Sequence, residues 1–163
     1  MSHVCCAVLY YEEDNYDSYD VNDILEHHTG YAFDYYTLIK DFEEKRFKGL
    51  ILKSGVENEY MYEYDGEKFA YKARIEDVDW LKTFKDSGIE EYADFRKVID
   101  CYDFYDKSKG EIDWTEFNKF VKRMFECVNT VELADVHEWL KKAEISPLLI
   151  KKPLDFSKIC DIL

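Results

Sequence analysis

Residues that break secondary structure are scarce in this chain, and positive charge is scarce near its start. Two prolines and six glycines in 163 residues leave little material for irregular linkers and predict mostly regular secondary structure. Lysine and arginine number 22 against 36 acids, a formal charge of −14. A surface of that sign disfavours direct binding to nucleic acid or to an anionic membrane, because both are held by neutralising phosphates. No apolar run approaches the roughly 18 residues of a membrane span, and residues 1–11 lack the basic start and small-residue cleavage site of a secretory signal. Five cysteines, Cys5, Cys6, Cys101, Cys127 and Cys160, are odd in number and scattered. They suggest no disulfide framework, so reduced thiols and a cytoplasmic protein are expected. The chain also lacks G-x-S-x-G, a P-loop, G-x-G-x-x-G and H-E-x-x-H. With no catalytic set to defend, the expectation is a protein that is not an enzyme.

What is present is a core-forming composition with unevenly placed acid. Hydrophobic residues make up 47% of the chain, including 14 tyrosines and 11 phenylalanines, enough for one domain spanning 1–163. Residues 1–44 hold 11 acids and one base, Lys40, so this segment alone carries −10, while the remainder carries −4. The acidity belongs to the N-terminal segment.

The expected fold class is α+β: a small antiparallel sheet, made of an N-terminal strand and an Asp65–Gly66 hairpin, with helices, followed by a helical subregion over 77–163. Val4–Tyr11 reads as a buried strand. Asp20 or Asn22 caps a short helix that ends at Thr29–Gly30. Phe33, Tyr36, Ile39 and Phe42 have the spacing of an amphipathic helix over 31–47, and 49–54 reads as a strand. Asp65–Gly66, flanked by the alternating runs EYMYEY and EKFAYKAR, is the dipeptide preferred in a type I′ hairpin turn. Beyond 77 the spacing turns helical. Val78, Leu81 and Phe84 mark one helix; Ser87 with Glu90, Asp113 with Glu116, and Asn129 with Glu132 are capping boxes opening helices over 89–102, 114–127 and 131–143. Pro147 and Pro153 precede a last helix over 155–163.

The stretch Asp106–Phe117, DKSKGEIDWTEF, with Asp103 before it, resembles an EF-hand calcium loop. In the 14-residue register from Asp103 to Glu116, used by pseudo-EF-hands, Ile112 falls at the position that pairs with a partner loop, and apolar residues line both flanking segments. The resemblance implies calcium as the ion and Asp103, Asp106, Ser108, Glu111 and Glu116 as its ligands. A second loop would fall at 144–155, where EISPLLIKKPLD offers few oxygen ligands. The plainer reading of Asp113 and Glu116 is a capping box alone. Zinc is the other metal the composition admits, through His3, Cys5, Cys6, His27 and His28, although none has C-x₂-C or H-x₃-H spacing. Cys5 and Cys6 are neighbours in a strand and point to opposite faces.

The remaining candidate surface is the tyrosine-interleaved acidic segment: Glu12, Glu13, Asp14, Tyr16, Asp17, Tyr19, Asp20 and Asp23. Carboxylates steer a basic protein surface at long range, and tyrosine supplies rigid contact area at low entropic cost. The functional expectation is therefore an acidic protein-binding inhibitor that occupies a basic, nucleic-acid-binding site on a nuclease or defence protein. DNA-mimic inhibitors and the immunity proteins of nuclease toxins work in this way. The alternative is an EF-hand-like calcium-binding or regulatory protein.

Overall fold

The computed structural model describes residues 2–13 and 19–138. Along the chain these form β1 (Ser2–Tyr10), α1 (Val21–His28), β2 (Tyr35–Leu38), β3 (Met61–Tyr64), β4 (Glu67–Ala70), β5 (Lys72–Arg74), α2 (Trp80–Asp86), β6 (Glu91–Ala93), β7 (Val98–Asp100), β8 (Tyr105–Asp106), β9 (Glu111–Ile112), α3 (Trp114–Met124) and β10 (Thr130–Glu138), with short 3₁₀ turns between them. The class is α+β, as the sequence indicates.

A mixed sheet in the order β2–β10–β1–β6–β7 forms the centre, and β5 pairs with the first residues of β10 on its β2 side. β1 and β10 run antiparallel over nine pairs, from Ser2 opposite Glu138 to Tyr10 opposite Thr130. β6 joins the other edge of β1 in parallel. The pleat divides the core. Cys5, Ala7 and Leu9 face one apolar cluster, with Leu133, Phe84, Tyr92 and Phe117; Val4, Cys6 and Val8 face another, with Ile24, Leu25 and Val136. Cys5 and Cys6 thus lie on opposite sides of the sheet, as strand geometry requires. α1 packs on the second side through Val21, Ile24 and Leu25.

Several elements follow the sequence reading. The β3–β4 hairpin turns at Asp65–Gly66, both with positive φ (51° and 80°), as a type I′ turn needs. Asp20 caps α1 reciprocally with Asp23, and the Asp113 side chain accepts from the Glu116 amide at the start of α3. α2 forms where Leu81 and Phe84 place it.

Other stretches depart from it. The helix expected over 31–47 is β2 followed by a 3₁₀ turn over Ile39–Asp41, because this segment pairs with β10. Residues 49–54 make only isolated bridges, Leu50 to Ala70 and Leu52 to Val78. The helix expected over 89–102 is the β6–β7 hairpin. Its turn is held by Asp94, whose Oδ1 accepts from the amides of Arg96 (2.7 Å) and Lys97 (3.1 Å). Ser87 does not open a helix: its hydroxyl donates to the Thr83 carbonyl at the end of α2, and Gly88 follows at φ 77°. The helix expected over 131–143 is strand β10 as far as Glu138, buried along its whole length. The described part of the subregion expected to be helical therefore contains α2 and α3 but also four shorter strands and β10. The expectations for 144–155 and 155–163 lie outside the described residues.

Candidate functional site

The acidic segment is described in part; Asp14, Tyr16 and Asp17 lie outside the described residues. Glu12 is anchored: its Oε1 accepts from Lys72 Nζ at 2.9 Å, and its backbone exchanges hydrogen bonds with the Asn129 side chain at 3.0 and 3.2 Å. Glu13 is exposed and accepts from the Tyr11 hydroxyl at 2.8 Å. Tyr19 stacks on Phe95 with centroids 4.9 Å apart and an interplanar angle of 3°, yet remains 55% exposed.

Asp20 and Asp23 have structural work in the α1 cap as well as charge. They also sit where the positive end of the helix dipole favours carboxylates. The Tyr36 hydroxyl donates to Asn22 Oδ1 at 3.4 Å, so β2 lies beside the α1 start. Its phenol is pushed upward by burial and then by the Glu26, Asp20 and Asp23 carboxylates.

In the EF-hand-like stretch, the segment before the loop is β6, β7 and a 3₁₀ turn over Cys101–Phe104 rather than a helix. Asp103 lies in that turn; Asp106 and Glu111 lie on the tiny β8–β9 hairpin. Asp106 Oδ1 accepts from the Ser108 amide at 2.9 Å and hydroxyl at 2.6 Å, while Glu116 pairs with Lys119 at 2.8 Å. These hydrogen bonds from Ser108 hold the Asp106 carboxyl below its ordinary range. A carboxylate depressed on folding contributes stability above the unfolded value near 3.8 and loses it as pH falls through the folded one. Ser108→Ala is therefore expected to raise the Asp106 titration midpoint in an NMR titration. An unchanged midpoint would contradict this local account.

The sheet builds a second constellation. Among the described residues, two groups of three ligand-bearing side chains converge: His3, Asp135 and His137, and Glu91, Asp100 and Glu138. In the first, β1 sets His3 directly opposite His137 on β10, and Asp135 is two residues earlier on the same face. His3 Nδ1 lies 2.8 and 3.1 Å from the two oxygens of Asp135, which is fully buried. The His137 ring meets His3 edge-on at 3.8 Å between centroids, and Tyr35 of β2 stacks on it, also at 3.8 Å. Arg46 reaches over the group, Nη1 2.9 Å from His3 Nδ1 and 3.9 Å from Asp135 Oδ2.

Compared with family models, with curated proteins and with solved structures, the chain finds no match.

Of the soft and imidazole ligands expected for zinc, only His3 joins this group. His28 is buried on the α1 side, its Nε2 2.6 Å from the Asp94 carbonyl oxygen, with the His27 ring 5.0 Å away. Cys5 sits opposite Asp135 in the register, but burial, followed by the Asp135 and Glu90 carboxylates, pushes its thiol far upward and disfavours the thiolate a metal needs. Burial, followed by the neighbouring His3, lowers the His137 imidazole from its ordinary 6.5 and favours the neutral ring. Asp135, His137 and Arg46 were not legible as a site in the sequence. The one available signal was the alternation of V-E-L-A-D-V-H, which puts an Asp and a His two apart on one strand face.

Proposed function

We propose that this protein is an acidic docking protein that occupies the basic, nucleic-acid-binding site of a partner and thereby inhibits it. The observation that carries the reading is the charge of −10 on residues 1–44, of which Glu13, Asp20, Asp23 and Glu26 are exposed on and just before α1. Tyr19 (55% exposed) and Tyr31 (89% exposed) flank α1 in the chain and offer aromatic contact area beside those charges. Carboxylates at this density accelerate encounter with a cationic groove and set the orientation of docking. The partner is a protein whose lysines and arginines otherwise neutralise phosphates.

The test begins with affinity capture from cells that make the protein, followed by purification of the captured partner. Binding of the pair is expected to weaken at least about tenfold between 50 and 300 mM salt, since exposed charges are screened over about a Debye length. A DNA or RNA duplex should compete with it. Salt-independent binding, or a ternary complex in which nucleic acid stays bound, would remove the proposal.

A further inference from the structure

We propose that His3, Asp135 and His137 form a binding site for a divalent transition-metal ion of the zinc type. The site uses two imidazoles and one carboxylate and leaves a remaining coordination position to solvent. It lies at the end of the central sheet where β1 and β10 pair, on the face opposite α1, and it does not depend on the docking surface.

The backbone supplies the geometry. Paired strands hold His3 opposite His137, and the two-residue repeat of β10 puts Asp135 on the same face, so three donors come from two rigid, adjacent strands. Their ligand atoms lie within 4.8 Å of one another. An ion with bonds of about 2.0–2.1 Å sets tetrahedral ligands roughly 3.3 Å apart, so small imidazole rotations close the set. The 2.8 and 3.1 Å separations of His3 Nδ1 from the Asp135 oxygens already approach that spacing. Stacking by Tyr35 fixes the His137 ring plane, the kind of support that orients a ligating imidazole.

The electrostatics point the same way. His3 Nδ1 faces the Asp135 carboxylate, and Arg46 Nη1 lies 2.9 Å from Nδ1 and 3.1 Å from Nε2, so a ring protonated at Nδ1 donates to Asp135 and turns its Nε2 lone pair toward Arg46. A cation placed between Nδ1 and Oδ2 replaces that proton and binds a lone pair from each atom. Asp135 has no solvent exposure, and the Arg46 side chain that partly offsets its charge is 49% exposed and 3.9 Å away. A dication among these ligands compensates a buried carboxylate better than a half-solvated guanidinium does. Two imidazoles with a single oxygen ligand suit zinc and its neighbours rather than calcium or magnesium, which take oxygen.

The experiment is calorimetric titration of zinc chloride into the full, metal-stripped chain carrying Cys127→Ser and Cys160→Ser, which removes competing thiols. Cobalt(II) absorption serves as a spectroscopic second reading. One zinc per chain is expected, with binding weakened by about 100-fold in either His3→Ala or His137→Ala, as loss of one ligand of three requires. Arg46→Ala should leave the stoichiometry at one and tighten binding. Zinc should also raise the thermal midpoint of the parent and of Arg46→Ala, but not that of the histidine variants. Because His3 lies at the partly exposed end of β1, His3→Ala gives the decisive comparison if His137→Ala does not fold. Absence of zinc binding, or binding retained undiminished in a folded His3→Ala variant, would overturn the proposal.

Discussion

Replacing Phe117 with alanine is expected to cost about 3–5 kcal/mol of folding stability, the range for emptying a large aromatic site in a packed core. Phe117 is fully buried on α3, and four rings surround it: Tyr92 at 5.3 Å, Phe84 at 5.4 Å, Trp114 at 5.5 Å and Phe104 at 5.6 Å between centroids, with interplanar angles from 66° to 78°. These edge-to-face contacts add to the area term. They also join α3 to α2 through Phe84, to β6 through Tyr92 and to the following 3₁₀ turn through Phe104, so the sheet cannot close the cavity by moving one element. Urea denaturation with a common slope measures the loss. A shift below about 1 kcal/mol would mean that α3 does not seat on the sheet in this way.

A proline at position 133 is expected to remove the fold altogether. The Leu133 amide donates to the Tyr71 carbonyl at 2.8 Å, and its buried side chain belongs to the same core cluster as Phe117. Proline deletes that donor, leaves the acceptor buried and discards the apolar packing. With about 5–15 kcal/mol of stability in a typical domain, little remains after such losses in a strand hydrogen-bonded on both edges. Far-UV and near-UV circular dichroism should show an unfolded chain for Leu133→Pro and a folded, destabilised one for Leu133→Ala. A native spectrum for the proline variant would contradict the placement of β10.

The elements legible in the sequence are those whose signals are local. Asp65–Gly66 needs positive φ at both positions and specifies its turn by itself, and Asp20 and Asp113 state their caps within three residues. β10 was illegible because its polar residues are buried. Glu132, Asp135, His137 and Glu138 look like the solvated face of a helix, and the Asn129–Glu132 spacing imitates a capping box, yet β1 and β2 cover both edges of the strand. In the β6–β7 hairpin, Asp94 closes a turn through Asx geometry that carries no glycine or proline to announce it. The same long-range pairing hid the His3–Asp135 contact, whose partners are 132 residues apart in the chain. The acidic surface was legible because charge needs no partner to be counted, but its division of labour was not. Glu12, Asp20 and Asp23 hold structure as well as charge, whereas Glu13 and Glu26 stand exposed.

That division selects the measurement that bears most directly on the proposed docking function. A triple variant, Glu13→Lys, Asp17→Lys and Glu26→Lys, inverts charge while sparing the α1 capping pair. Its dissociation constant for the purified partner is to be compared with that of the parent at low salt. The account predicts an unchanged thermal midpoint and affinity at least about 100-fold weaker, the scale of several lost charge contacts at an interface. Equal affinity of the variant and the parent would contradict it.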